Sequence, residues 1–172
     1  HHLEQLTKDM LRFVKGETTE LENVVISDLL AELQQVIEPQ LAARQLQLIV
    51  RDQSQKASLM INHQAICGAM INLLENAMQA SNPGGRIILT GTHEENSIIL
   101  SVCDNGLGID IALQERLFEP FFTTKPTGRG TGLGLSTIYG FAQQSGGHVT
   151  LYSEVGKGTR FTLRLPRSTL ST

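Results

Sequence analysis

The chain has 172 residues, which suits one domain with an appendage, and 40% of it is apolar, enough for a real core. A net charge of −3 excludes a nucleic-acid surface, which would show a basic stripe, and no apolar run approaches the roughly 18 residues of a membrane span. No signal peptide opens the chain, and Cys67 and Cys103 lie in apolar stretches with no partner at metal spacing, so both read as buried thiols of a reducing, cytoplasmic compartment.

His1-His2 reads as the end of a purification tag. In "LEQLTKDMLRFVKG", Leu3, Leu6, Met10 and Phe13 recur at spacings of three, four and three, the seam of a helix packing on other helices, and Gly16 ends it. Residues 1–16 are therefore expected to be a tag remnant and the end of a bundle helix, 17–166 the main domain, and 167–172 a tail. "ENVVISDLLAELQQVIEPQLAARQL" predicts a short strand over Asn23 to Ile26, then a helix capped by Ser27 or Asp28. "LQLIVRD" predicts a strand, and Asn62 can cap a helix through "HQAICGAMINLLENAMQA", with Ile66, Met70, Leu73, Leu74 and Ala77 at helical spacing. "NPGG" ends that helix.

"RIILTGTHEENSIILSVCDNG" reads as two strands around the turn "EENS", and "GHVTLYSEVGKGTRFTLRLP" as two more around "VGKG". Between them lie an irregular segment and a helix, "LGLSTIYGFAQQSGG". Paired strands separated by helices predict an α/β sandwich, a mixed and largely antiparallel sheet with helices on one face.

The irregular segment holds "TTKPTGRGTGLGLS", with Gly128, Gly130, Gly132 and Gly134 at every second position. A P-loop register started at Gly128 puts Leu133 where its second glycine belongs, and no Lys-Ser or Lys-Thr follows. Dinucleotide registers from Gly128, Gly130 and Gly132 end on Leu133, Leu135 and Thr137. What remains is a glycine segment that turns into a helix near Gly132, whose first amides could receive an anion; a surface loop without a ligand fits as well.

Two other motifs bear on the choice. In "NLLENA", Asn72 and Asn76 stand four apart on one helix face. An amide oxygen there is a reasonable hard ligand for Mg2+, and a hydrogen bond from Asn76 to backbone in the core is the plainer reading. In "DNGLGI", Asp104 ends a strand and could accept from an exocyclic amine, while Gly106 and Gly108 let backbone approach a flat ring; an ordinary Asp-Asn-Gly turn accounts for the same letters.

Taken in order, the Asn motif, "DNGLGI", "FEPFFTTK", "GRGTGLGLS" and "GKGTRF" resemble the catalytic ATP-binding domain of two-component sensor histidine kinases, in the superfamily of gyrase, the heat-shock chaperone ATPase and the mismatch-repair ATPases. The resemblance covers roughly residues 20 to 166, and "NAMQA" with "FEPFFTTK" is most similar to the nitrogen-, pilus- and flagellum-regulatory branch. It implies a Bergerat-type fold, with ATP and Mg2+ as cofactors. It implies that Asn76 holds Mg2+, that Asn72 lies beside the phosphates, and that Asp104 reads the adenine amine. Gly106 and Gly108 then shape the adenine pocket, Gly130, Gly132 and Gly134 close over the phosphates, and Thr159 sits near adenine, although it equally closes a hairpin. Phe118, Phe121 and Phe122 match the aromatic root of the lid, two of them also suiting plain core. Lys125 and Arg129 are lid cations that neutralise phosphate charge, or else a solvated face.

Hydrolytic relatives carry a glutamate where this sequence has Asn72, which cannot act as a base, so the resemblance favours phosphoryl transfer to a protein acceptor. Gln79 departs from the basic residue many kinases carry three places after the second Asn. Glu75, about 100° round the helix from Asn76, could edge the site, or else have an exposed or structural role. No histidine stands in the acceptor pattern H-E-x-x-x-P, so the acceptor is expected on a dimerisation bundle not contained in this chain, with relay to a response regulator. The isolated chain is expected as a monomer or weak dimer, and the full protein as a homodimer. An ATP-hydrolysing relative of gyrase type and a non-enzymatic nucleotide-binding module are the alternatives.

Overall fold

A computed structural model describes residues 20–114 and 134–167. The expected bundle-helix remnant, the three phenylalanines and most of the glycine segment lie outside them. The described elements run β1 (Glu22–Val25), α1 (Ile26–Ala43), β2 (Gln47–Gln53), β3 (Ser58–Ile61), α2 (His63–Ala80), β4 (Arg86–Glu94), β5 (Ser97–Asp104), α3 (Ile111–Gln114), α4 (Gly134–Gln144), β6 (His148–Glu154) and β7 (Gly158–Pro166).

Five strands form one sheet in the order β2-β4-β5-β7-β6. β2 pairs parallel to β4, and the other three pairings are antiparallel, so the sheet is mixed and largely antiparallel as the hairpins predict. Strict alternation explains its two faces. Ile87, Leu89, Ile98, Leu100, Val102, Leu163 and Leu165 are buried against the helices, while the intervening Thr90, Ser101 and Thr162 turn the other way and are half-buried. α1 packs on β2 and β4, α2 on β4 and β5, and α4 on β6 and β7, with α2 between the other two helices. Among the described residues no helix is long and apolar enough to cross a membrane.

The structure adds one strand that the sequence reading lacks. β3 pairs antiparallel with β1 in a separate two-stranded sheet, and its four residues are too few to show periodicity. The start of α1 also differs from expectation. Neither Ser27 nor Asp28 caps it; the residue before the helix is Val25, with no side-chain cap. The Ile26 N–H instead donates to the Ala57 carbonyl at 2.9 Å, so a long-range backbone contact does what a cap would do. The Ser27 hydroxyl lies 3.4 Å from that of Ser54, whose own hydroxyl donates to Asp52 at 2.6 Å. α1 runs through Pro39, which has no N–H to give the Gln35 carbonyl; both residues are exposed, on the helix side that faces solvent.

Asn62 does cap α2 as predicted, its Oδ1 accepting from the Ala65 N–H at 2.8 Å. Both cysteines are free but half-buried rather than buried. Cys103 lies between the buried Val102 and Asp104, and the strand's alternation sends it to the face away from the helices.

Candidate functional site

Asp104 is the last residue of β5 and is 6% exposed. Its position follows from register: the strand alternation that buries Val102 also buries Asp104, at the sheet end where β5 meets Thr159 of β7. One carboxylate oxygen accepts from the Gly106 N–H at 2.9 Å, and the Thr159 N–H also bonds the carboxylate. Burial holds the Asp104 carboxyl above its ordinary value against the pull of those two N–H groups. A buried carboxylate with lone pairs to spare suits a neutral donor such as an amine.

The glycines beside it are required for a reason the sequence reading did not supply. A Cβ on Gly106 would lie 2.2 Å from the Ala80 carbonyl oxygen, and the Leu107 N–H donates to that same carbonyl at 3.3 Å. Gly108 adopts φ +78°, and a Cβ there would lie 2.2 Å from the Glu154 carbonyl oxygen. Within the described protein the crowding comes from backbone, so the glycines dock the loop after β5 onto the end of α2 and onto the β6–β7 turn.

Thr159 is 4% exposed, and its hydroxyl lies 2.8 Å from that of Ser153. Ser153 also accepts from the Ile109 N–H at 2.8 Å and donates to the Gly158 carbonyl at 3.1 Å. Ser153 and Gly158 escaped the sequence reading. Their signal was the hairpin register, because the turn at 155–157 puts Ser153 opposite Thr159.

Gly158 combines φ +128° with a Cβ position 2.0 Å from the Asp104 carbonyl oxygen, whereas Gly156 has φ +85° and open space. Gly158→Ala is therefore expected to lower stability by about 2–4 kcal/mol, the sum of strain and overpacking. Gly156→Ala pays only the left-handed backbone, about 1 kcal/mol. Thermal melts of the two variants check this, and equal losses would contradict the packing argument.

Asn72 and Asn76 share one flank of α2, both half-buried, one to two turns before the Ala80 carbonyl on which the Asp104 loop rests. The Asn76 amide donates from Nδ2 to the Asn72 backbone carbonyl at 2.8 Å, which ties the amide nitrogen to its own helix. Glu75 is half-buried beside them. Gly134 is the first residue of α4, which packs against α2 through the fully buried Ile138 and Ala142. Gly134 is the first described residue of this helix, and the expected start near Gly132 lies outside the described residues. Asp104, Gly106, Gly108 and Thr159 come together in one place, with Asn72 and Asn76 on the adjoining helix. Lys125, Arg129, Gly130 and Gly132 lie outside the described residues.

Residues 62–169 match the family model described as histidine kinase-, DNA gyrase B-, and HSP90-like ATPase. The sensor kinase CckA of Brucella abortus is 33% identical over 177 residues, a match spanning 94% of this chain and 19% of CckA. The sensor protein kinase FleS of Pseudomonas aeruginosa is 39% identical over 166 residues, spanning 96% of this chain and 40% of FleS. The chain thus spans less than half the length of these curated relatives. Among solved structures, the nucleotide-free catalytic domain of histidine kinase ThkA is 26% identical with a TM-score of 0.79, the match covering 87% of this chain and 97% of that one. ThkA in complex with response regulator protein TrrA matches in fold, with a TM-score of 0.80 at 24% identity, over 97% of this chain and 48% of that one.

Proposed function

Because the chain belongs to the family of histidine kinase-, DNA gyrase B- and HSP90-like ATPases, we propose that it binds ATP with Mg2+. We propose further that it passes the γ-phosphoryl group to a histidine on a dimerisation bundle not contained in this chain, for relay to a response regulator. The observation that carries this reading is the buried Asp104 carboxylate, held by the Gly106 and Thr159 N–H groups beside the end of α2. It supplies an acceptor for the adenine amine, while Asn72 and Asn76 lie toward the phosphates. Tying Nδ2 of Asn76 to the Asn72 carbonyl orients the amide so that Oδ1 is the atom suited to a hard cation. Mg2+, when bound, neutralises charge on the phosphates.

The chain's own residues do the positioning. Asp104 fixes the base, and the Gly106 and Gly108 backbone holds the loop against α2 and the β6–β7 turn. Gly130, Gly132 and Gly134 close over the phosphates in this reading, with Lys125 and Arg129 as lid cations. Asn72 cannot take a proton from water, so transfer to a protein acceptor is favoured over hydrolysis. Resemblance to sensor kinases and the two free cysteines support a cytoplasmic setting and a homodimeric full protein.

The test mixes this chain with the separately produced bundle and ATP labelled at the γ-position. Label on histidine is expected; nucleotide binding without any label on histidine sinks the kinase reading. Phosphate release by the chain alone that disappears in Glu75→Gln supports the gyrase-type alternative instead.

A further inference from the structure

The structure brings together three side chains remote from the proposed nucleotide site. His63 and Cys67 stand one turn apart at the start of α2, and Glu32 reaches them from α1. His63 Nε2 lies 2.7 Å from Glu32 Oε1 and 3.5 Å from Cys67 Sγ, and the three ligand atoms all lie within 4.8 Å of one another. Asn76 is thirteen residues further along α2, about 20 Å at the helical rise.

We propose that Glu32, His63 and Cys67 form a binding site for Zn2+ that clamps α1 to α2. Imidazole, thiolate and carboxylate are all ordinary zinc ligands, and the thiolate disfavours Mg2+ and Ca2+. Tetrahedral zinc with ligand bonds of about 2.0–2.3 Å holds its donor atoms about 3.3–3.6 Å apart. The Sγ–Nε2 separation already meets that spacing, and the Nε2–Oε1 pair opens by about 0.6 Å to meet it. His63 and Glu32 have side chains 37% and 44% exposed, which leaves solvent access for a water as fourth ligand.

Residues four apart on a helix project to one side, so His63 and Cys67 need no rearrangement to share an ion. The Glu32–His63 hydrogen bond already holds the two side chains together; zinc takes the Nε2 that makes it, so binding breaks that bond and leaves the ring proton on Nδ1. Burial, then the Glu32 carboxylate, push the Cys67 thiol up to about 11, so at neutral pH it carries its proton. Zinc binding forms the S–Zn bond and releases that proton to solvent. The imidazole offers its Nε2 lone pair, which requires its N–H to sit on Nδ1.

The plainer reading is a surface Glu–His hydrogen bond beside an inert thiol. The experiment separates the two with Co2+ as a spectroscopic stand-in and Zn2+ as competitor, on the folded chain with His1 and His2 replaced by alanine. One equivalent of Co2+ with a thiolate-to-metal absorption band, displaced by Zn2+, is expected. Cys67→Ser should abolish the band and weaken Zn2+ binding at least ~10-fold, and His63→Ala should weaken it comparably. Cys103→Ser should change neither. Zn2+ should raise the melting temperature of the parent chain and not that of Cys67→Ser, whose own melt establishes that it is folded. A parent chain without the band, or a band that survives in Cys67→Ser, overturns the proposal.

Discussion

Asp104→Ala is expected to weaken ATP binding at least ~100-fold, below detection in a calorimetric titration, while the protein stays folded. A hydrogen bond to a charged group is worth about 1.5–3 kcal/mol, and losing one here also removes the group that orients the base. The fold survives because two effects oppose each other. The Gly106 and Thr159 N–H groups lose their acceptor, but a desolvated carboxylate also disappears.

The pH dependence of the site follows from the same burial. The folded carboxyl of Asp104 lies above its unfolded value. Its contribution to folding is therefore most favourable at low pH and is lost as pH rises through the folded pKa. Nucleotide binding runs the other way. An amine donor prefers the ionised carboxylate, so affinity should fall as pH drops through that raised value. Binding titrations across the acid range check this, and Asp104→Ala should lack that acid limb. Normal affinity in Asp104→Ala would remove the residue from the site.

Asn76→Ala is expected to abolish measurable ATP binding in the presence of Mg2+, with the fold intact. The position is half-buried on α2, and the Asn76 Nδ2 donates to the Asn72 carbonyl of its own helix. Alanine is the better helix former by about 0.6 kcal/mol, so the helix itself loses nothing. What disappears is the amide oxygen proposed to hold the cation. Thermal-shift titrations with nucleotide, with and without Mg2+, separate the effects. The parent chain should gain from adding Mg2+ and the variant should not, and an unchanged Mg2+ response would refute the assignment of Asn76.

Much of the fold was legible because it rests on periodicity. The sheet hairpins follow from alternation in "RIILTGTHEENSIIL" and "FTLRLP", and α2 follows from its apolar spacing and the Asn62 cap. Local chemistry failed where a distant backbone intervened. α1 starts without a side-chain cap because Ala57, 31 residues on from Ile26, receives its first N–H. α1 ends with Gln45 rather than glycine in the left-handed region, φ +57°. There the Leu46 N–H reaches the Leu41 carbonyl at 2.9 Å, and the two leucines pack in the core.

The sequence by itself determined the element types, the mixed sheet, and the order of motifs that marks the family, because these depend on spacing along the chain. Only the tertiary structure decided why the motif residues are what they are. Gly106, Gly108 and Gly158 are glycines because the backbones of Ala80, Glu154 and Asp104 pass within about 2 Å of where a Cβ would be. Asp104 is perturbed because the sheet end buries it, and Glu32 joins the His63–Cys67 pair, itself one helical turn apart in the sequence, because α1 packs on α2. Such contacts join residues tens of positions apart, and a spacing rule that looks a few residues along the chain has no access to them.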